Sequence, residues 1–203
     1  MAEHVTRRSP LGHSGDRLAE VAHATGGAVS LSEVPFLAQI NLRLDSKGPA
    51  ADAVAAELGM PLPTGAEASA SSGPLTALWL GPDEWLVLGP AGTEGALESR
   101  LRSAVGDEHA SVVDVSAQRT TLRVAGPRTR DLLALGCALD LHPRSFGTGN
   151  CAQTTLAKAQ VVLVGREPDD GEGSAFWILV RASFATYLVE WLIDASVEFS
   201  TAG

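Results

Sequence analysis

Lysine is almost missing from this chain. Lys47 and Lys158 are the only two, and arginine supplies the rest of the 15 basic residues that stand against 24 acidic ones. A net charge of -9 and a pI near 4.9 exclude a phosphate-binding surface of the usual kind, because affinity for nucleic acid rests on clustered Lys and Arg. The pairs Arg7-Arg8 and Arg100/Arg102 are what solvated termini and helix faces ordinarily produce. Cysteine is equally scarce. Cys137 and Cys151 sit in no CxxC or Cys/His spacing and the histidines (His4, His13, His23, His109, His142) are scattered, so no metal-ligand pattern exists. Spacing leaves a single disulfide open, but nothing else reads as secreted and reduced thiols are expected. The opening MAEHVTRRSPLGHSGDR has no apolar stretch, and no run approaches the roughly 20 apolar residues of a membrane span. These absences point to a cytoplasmic protein with neither membrane nor nucleic acid as partner.

What the sequence has is hydrophobic pattern. With 45% hydrophobic residues over 203 positions the chain buries a full core, as one domain or two small fused ones. The clearest local grammar runs from Ser111 to Pro143. A β-branched run (Val112, Val113, Val115) is followed by an alternation in which Thr120, Leu122 and Val124 lie between Thr121 and Arg123, as a half-buried strand requires. A turn at Gly126-Pro127 then leads into an amphipathic helix that uses Leu132, Leu133 and Leu135 and stops at Gly136. A weaker copy lies earlier. Ile40, Leu42 and Leu44 alternate with polar residues, Gly48-Pro49 turns the chain, and Ala50 to Leu58 ends at Gly59. Both copies continue into a strand and a helix: Trp85 to Leu88 before Glu94 to Val105, and Trp177 to Val180 before Phe184 to Ala195. The self-similarity predicts an α+β fold of two related βαββαβ halves, residues 31–108 and 109–203, behind an N-terminal arm of residues 1–30.

The remaining elements follow from turn chemistry. Val34 to Asp45 reads as the first core strand, and the Gly/Ala/Ser/Pro stretch Thr64 to Pro74 as an exposed loop. Leu78 to Leu80 and Trp85 to Leu88 flank Gly81-Pro82-Asp83-Glu84 as a hairpin, with Trp79 and Trp85 packing across it. Arg144 to Asn150 reads as a loop, Thr154 to Val164 as one strand, and the acidic stretch Pro168 to Gly173 as a solvated turn between paired strands. The arm is polar and aperiodic except for Leu18, Val21 and Ala22, enough for a helical turn or two.

No motif supplies an active site. Gly147-Thr148-Gly149-Asn150-Cys151-Ala152 fits G-x-G-x-x-A, yet a pyrophosphate cradle needs a strand before the glycines and a helix after them, and a strand-like alternation follows here. Ser116 has no nearby histidine and no G-x-S-x-G elbow, and Asp114 reads as an acceptor of backbone hydrogen bonds at a turn. Asp83 and Glu84 fall on a turn tip, where carboxylates are solvated. Cys151 has no adjacent Lys, Arg or His to activate it.

Several stretches do carry a family resemblance: Arg8-Ser9-Pro10-Leu11; the hairpin Trp79-Leu80-Gly81-Pro82-Asp83-Glu84-Trp85-Leu86; Asp114-Val115-Ser116 with Gln118-Arg119; and Leu139-Asp140-Leu141-His142-Pro143 with Phe146 and Gly149. Together they resemble the gamma subunits of heterotetrameric sarcosine oxidases, over nearly the whole chain. The resemblance implies a fold like the folate-binding domain of the glycine-cleavage aminomethyltransferase and a role as a non-catalytic subunit beside alpha, beta and delta subunits. FAD, FMN, NAD and tetrahydrofolate are then implied in those subunits and no cofactor in this one. The rival is a stand-alone folate-binding aminomethyltransferase-like or iron-sulfur maintenance protein. Against it, Phe176 to Phe184 lacks the acid and the glycines of the folate segment, and Gly149-Asn150-Cys151-Ala152-Gln153 only echoes the maintenance motif, without its Lys, second Gly and Glu. Within the arm, Arg8, Pro10 and Leu11 are the expected partner-binding residues: an arginine for a partner carboxylate, a proline that lowers the entropy lost on ordering, and a leucine to fill a pocket. The alternative is that the arm packs over its own core.

Overall fold

A computed structural model describes residues 7–168 and 173–200. In chain order the elements are α1 (Gly15–Ala24), β1 (Ser30–Val34), β2 (Ala38–Arg43), α2 (Pro49–Leu58), β3 (Ser69–Ser72), β4 (Leu75–Gly81), β5 (Glu84–Gly89), α3 (Glu94–Val105), β6 (Ser111–Asp114), β7 (Arg119–Gly126), α4 (Thr129–Ala134), β8 (Cys151–Leu156), β9 (Ala159–Arg166), β10 (Ser174–Arg181) and α5 (Ala182–Ser196). The expected βαββαβ succession is complete once, as β2-α2-β4-β5-α3-β6, whose last strand comes from beyond residue 108; the second series runs β7-α4-β9-β10-α5 and has no closing strand among the described residues. The strands outside both series are β1, β3 and β8, the counterpart of β3 in the second half.

Two antiparallel sheets result, one in the order β1-β7-β10-β9-β8 and the other β3-β4-β5-β2-β6. Read from the opposite edge, the second repeats the first with one exchange. Strand β1 of the early half leaves to pair with β7 (Leu31 opposite Val124), and β6, which opens the later half, pairs with β2 (Leu42 opposite Val112). The repeat in sequence therefore divides near residue 108, while the sheets do not. At the far edge Ser69 N–H bonds Gly149 O (2.8 Å) and Cys151 N–H bonds Glu67 O (2.8 Å), stitching the two sheets together.

Near-continuous apolar runs explain the layering, because a strand covered on both faces cannot alternate. Trp85 and Val87 of β5 face a core beneath α2 and α3, built with Ile40, Leu42, Val54, Leu97 and Leu101. Leu86 and Leu88 point the other way and meet Val162, Val164 and Leu179 between the sheets. On the far side Leu163, Phe176 and Ile178 pack under α1, α4 and α5 with Leu18, Leu133 and Leu188. The order is helices, sheet, sheet, helices.

Four sequence expectations change. Val34 to Asp45 is not one strand: Pro35 has no N–H to give a ladder and Phe36 adopts φ 61°, so the chain breaks there and its two parts enter different sheets. Thr154 to Val164 is a hairpin of β8 and β9 that turns at Ala157 (φ 52°) without a Gly, Pro or Asn to announce it. The stretch Thr64 to Pro74 contains β3, which pairs with β4 through its backbone (Ser69 opposite Leu78) though its side chains are all Ser or Ala. The arm holds about three turns of helix, α1, whose Leu18 and Val21 enter the core and whose Arg17 pairs with Glu190 of α5. The acidic turn expected over Pro168 to Gly173 falls largely outside the described residues; β9 and β10 on either side of it pair, with Arg166 opposite Ala175.

Candidate functional site

The two connections that carry the chain between sheets meet at one place. In the second of them Asp114 Oδ1 accepts the N–H of Ser116 (2.9 Å) and its hydroxyl, while Ser116 Oγ accepts the N–H of Gln39 (2.9 Å). Gln39 then reaches Arg119 O through Nε2 (3.0 Å), and its carbonyl receives Val115 N–H (2.8 Å). The Asp114-Val115-Ser116 and Gln118-Arg119 motif is thus a splint that holds β6 to one sheet and β7 to the other. Asp114 accepts backbone hydrogen bonds at a turn, as its sequence context indicates.

A pocket of about 400 Å³ opens over this crossing, lined by Arg8, Pro10, Phe36, Ser116, Arg119 and Ala182 among others. Arg8 and Pro10 thus share one cleft. Arg8 is exposed and has no hydrogen bond or ion pair among the described residues, and Pro10 is half-buried. Leu11 turns away, 1% exposed, into the core beneath α1 and α5. The segment is pinned on both sides: Arg7 pairs with Glu94 and lies 5.4 Å from the Phe36 ring centre, and Ser9 accepts Leu11 N–H (2.9 Å) while donating to Glu33, which also receives the Thr120 hydroxyl.

Next to it lies a second pocket of about 390 Å³, whose walls include Arg119, Gln153, Gln160 and Arg181. Arg119 lines both. Arg181 of β10 is its register partner on the neighbouring strand. Burial, and then the charge of Arg181, hold the Arg119 guanidinium below the usual arginine range, with Glu84 pulling weakly the other way. Nothing in sequence marks this pair. Only the β7–β10 register brings the two residues together, and each alone looks like a strand-end charge.

The other singled-out residues hold structure. Arg130 donates to Leu141 O, Phe146 O (2.7 Å) and Ser174 Oγ (2.8 Å) and lies 5.0 Å from the Phe176 ring centre, so the Leu139 to Phe146 motif is a loop clamped by one guanidinium. Asp140 accepts Ser145 Oγ–H (2.6 Å) and His142 N–H (3.0 Å), and these bonds hold its carboxyl below the usual range. Trp79 and Trp85 face each other across β4 and β5, and Trp85 Nε1 donates to Pro63 O (2.7 Å). Cys151 lies between the sheets, its thiol pushed up to about 11 by burial, and it donates to Ala68 O (3.2 Å). The Gly147 to Ala152 run leads into β8, so no helix N-terminus stands behind its glycines to receive a pyrophosphate. Among the described residues no three His, Cys, Asp or Glu side chains converge on a metal position, and no helix is long and apolar enough to cross a membrane. What converges at the crossing is guanidinium, hydroxyl and aromatic surface, which suits recognition of an anionic group.

Comparison with known proteins agrees over nearly the full length. The family model of the sarcosine oxidase gamma subunit matches residues 43–198. The gamma subunit of sarcosine oxidase from Corynebacterium sp. (strain P-1) is 42% identical over 197 residues, covering 96% of this chain and 92% of that one. Its counterpart from an Arthrobacter species is 40% identical over the same shares. Among solved structures, a chain of the heterotetrameric sarcosine oxidase of Corynebacterium sp. U-96, crystallised with pyrrole 2-carboxylate, superposes with a TM-score of 0.86 at 36% identity, covering 97% of this chain and 98% of that one. The glycine-cleavage aminomethyltransferase T of Bartonella henselae shares the fold (TM-score 0.65, 16% identity), with 91% of this chain spanning 49% of that one. With a family model over most of its length and two relatives at 40% identity or more, the chain belongs to the sarcosine oxidase gamma subunit family.

Proposed function

We propose that this chain is a non-catalytic gamma subunit that assembles with alpha, beta and delta subunits into a heterotetrameric sarcosine oxidase. The complex oxidises sarcosine with oxygen to glycine and hydrogen peroxide, and the methyl carbon leaves as formaldehyde, with water supplying its oxygen, or is passed to tetrahydrofolate to give 5,10-methylenetetrahydrofolate. FAD, FMN, NAD and tetrahydrofolate belong to the larger subunits in this reading, and the assembly is cytoplasmic. The observation that carries it is full-length similarity to proteins of that name. The pocket walls at the crossing hold arginines, hydroxyls and an aromatic ring, groups that suit contact with an acidic partner surface.

In this reading the rim of the cleft at Arg8 and Pro10 faces a larger subunit, and Leu11 anchors the rim to its own domain. Removing residues 1–14 therefore acts on two quantities that point changes separate. Leu11→Ala lowers stability by about 2–5 kcal/mol by opening a cavity, whereas Arg8→Glu leaves melting unchanged and weakens co-purification with the larger subunits. The decisive experiment expresses the chain alone and together with those subunits. The purified chain is expected to be colourless and to release no peroxide from sarcosine above a boiled control, while the co-expressed complex is coloured and releases peroxide. A flavin spectrum that survives gel filtration of the isolated chain, or peroxide from it, refutes the non-catalytic reading.

A further inference from the structure

Two arginines that face each other without a counter-ion are poorly placed for the isolated chain. Arg119 and Arg181 stand directly opposite on β7 and β10, and like charges in that position weaken a sheet. Neither guanidinium makes a hydrogen bond or ion pair among the described residues. Glu84 is the carboxylate whose charge reaches Arg119, and its Oε1 is already engaged by Asn41 Nδ2 at 2.8 Å. Several other arginines do have carboxylate partners, Arg17 with Glu190, Arg100 with Glu57 and Arg128 with Asp131; Arg119 and Arg181 are set apart by standing opposite one another.

The pocket at the pair is walled largely by polar side chains, Gln153, Thr154 and Gln160 among them, and aromatic rings are exposed on the helix that follows. Arg181 is the extended residue that ends β10 (ψ 139°), and the first two turns of α5 that follow it carry Phe184 and Tyr187 at an i, i+3 interval on one helix face; Tyr187 Oη accepts the N–H of Lys158 (3.3 Å), two residues from Gln160 of the pocket wall. Phe184 is 44% exposed and Tyr187, the only tyrosine of the chain, 38%. Exposed aromatic side chains next to arginine are the residue types most enriched where proteins bind one another.

We propose that Arg119, Arg181, Phe184 and Tyr187 form the docking surface for an acidic segment of a larger subunit, a carboxylate entering between the guanidiniums and an apolar neighbour covering Phe184. The partner's charge removes the repulsion within the pair, and closure of the interface dries the contact and strengthens it. Because Arg119 also lines the cleft under Arg8 and Pro10, this surface continues the one assigned to the arm. The inference rests on the subunit reading and gives it an interface.

The test uses the full chain, wild type or variant, co-expressed with its larger subunits, and follows both affinity and the melting of the isolated full chain. Arg181→Glu and the pair Arg119→Gln/Arg181→Gln are expected to weaken assembly at least about thirtyfold and to leave melting unchanged or raised, since repulsion is relieved. Wild-type affinity is expected to fall with added salt, and that of the double Gln variant to fall less steeply. Phe184→Ser is expected to weaken assembly at every salt concentration; unchanged assembly there restricts the surface to a site for a small free anion and overturns the proposal. It is equally overturned if Arg181→Glu assembles like wild type, or if lost assembly tracks lost stability. Should the wild-type chain itself fail to co-purify, it is the subunit reading that falls, and this outcome is read before any variant is made.

Discussion

Arg130 shows how much one side chain can hold in this chain. Its guanidinium satisfies the carbonyls of Leu141 and Phe146 and the hydroxyl of Ser174, and covers the Phe176 ring. Arg130→Ala leaves those carbonyls without their donor and is expected to cost about 2–4 kcal/mol in denaturant unfolding. Arg130→Lys recovers only part of this, because a point ammonium cannot span two carbonyls and also stack on a ring. Cys151 gives a pH signature of known sign. Burial raises its thiol from the ordinary value near 9 to about 11, so the folded chain holds that proton more tightly than the unfolded chain does. The resulting stabilisation is complete below about pH 9 and is lost as pH rises through about 11. Unfolding curves of wild type and Cys151→Ala are therefore expected to converge or cross over that interval, and a thiol reagent at pH 8 to modify Cys151 only after unfolding.

At the scale of elements, helices α2, α3 and α5 are legible because their apolar spacing is local, helped in α2 by Pro49 at its start and Gly59 at its end. The strand Trp177 to Val180 is legible as an unbroken apolar run and β7 from its alternation, whereas β9 is fused with β8 into one expected strand over Thr154 to Val164. Strand β3 is not legible: Ser69, Ala70, Ser71 and Ser72 have no side chain to reveal a buried face, and only pairing with β4 makes them a strand. The turn at Ala157-Lys158 was hidden for a similar reason, since an alanine at positive φ carries no signal in its type. The Arg119/Arg181 pair depends on register between strands far apart in sequence, which no local pattern encodes. Close approach between elements makes a sharper test. A methyl group on Gly165 of β9 would lie 2.0 Å from Gly147 O, in the loop before β8, where backbone has little room to retreat. Gly165→Ala is expected to cost about 3 kcal/mol or more, and to loosen that loop first, visible as faster amide exchange of Asn150 and Cys151 than in β4.

For the molecule as a whole, the exchange of β1 and β6 makes the two halves mutually dependent, and the layer of Leu86, Leu88, Val162 and Leu179 between the sheets adds to it. Fragments 1–108 and 109–203 each lack an edge strand of their own sheet and expose that layer. Alone they are expected to show little cooperative unfolding, and mixed they should recover the far-ultraviolet spectrum and a single 1:1 peak in gel filtration. A folded, monomeric fragment would show that the halves are independent domains after all. The same exchange has a bearing on synthesis at the ribosome. The first strand to emerge, β1, has its partner in β7, so it must wait unpaired while some 85 intervening residues are made. The early sheet, for its part, cannot close its β2 edge until β6 appears. An exposed strand edge invites pairing with other nascent chains, so slow translation through residues 35–118, or a chaperone that shelters β1, should govern the yield of soluble subunit more than the stability of the finished fold does.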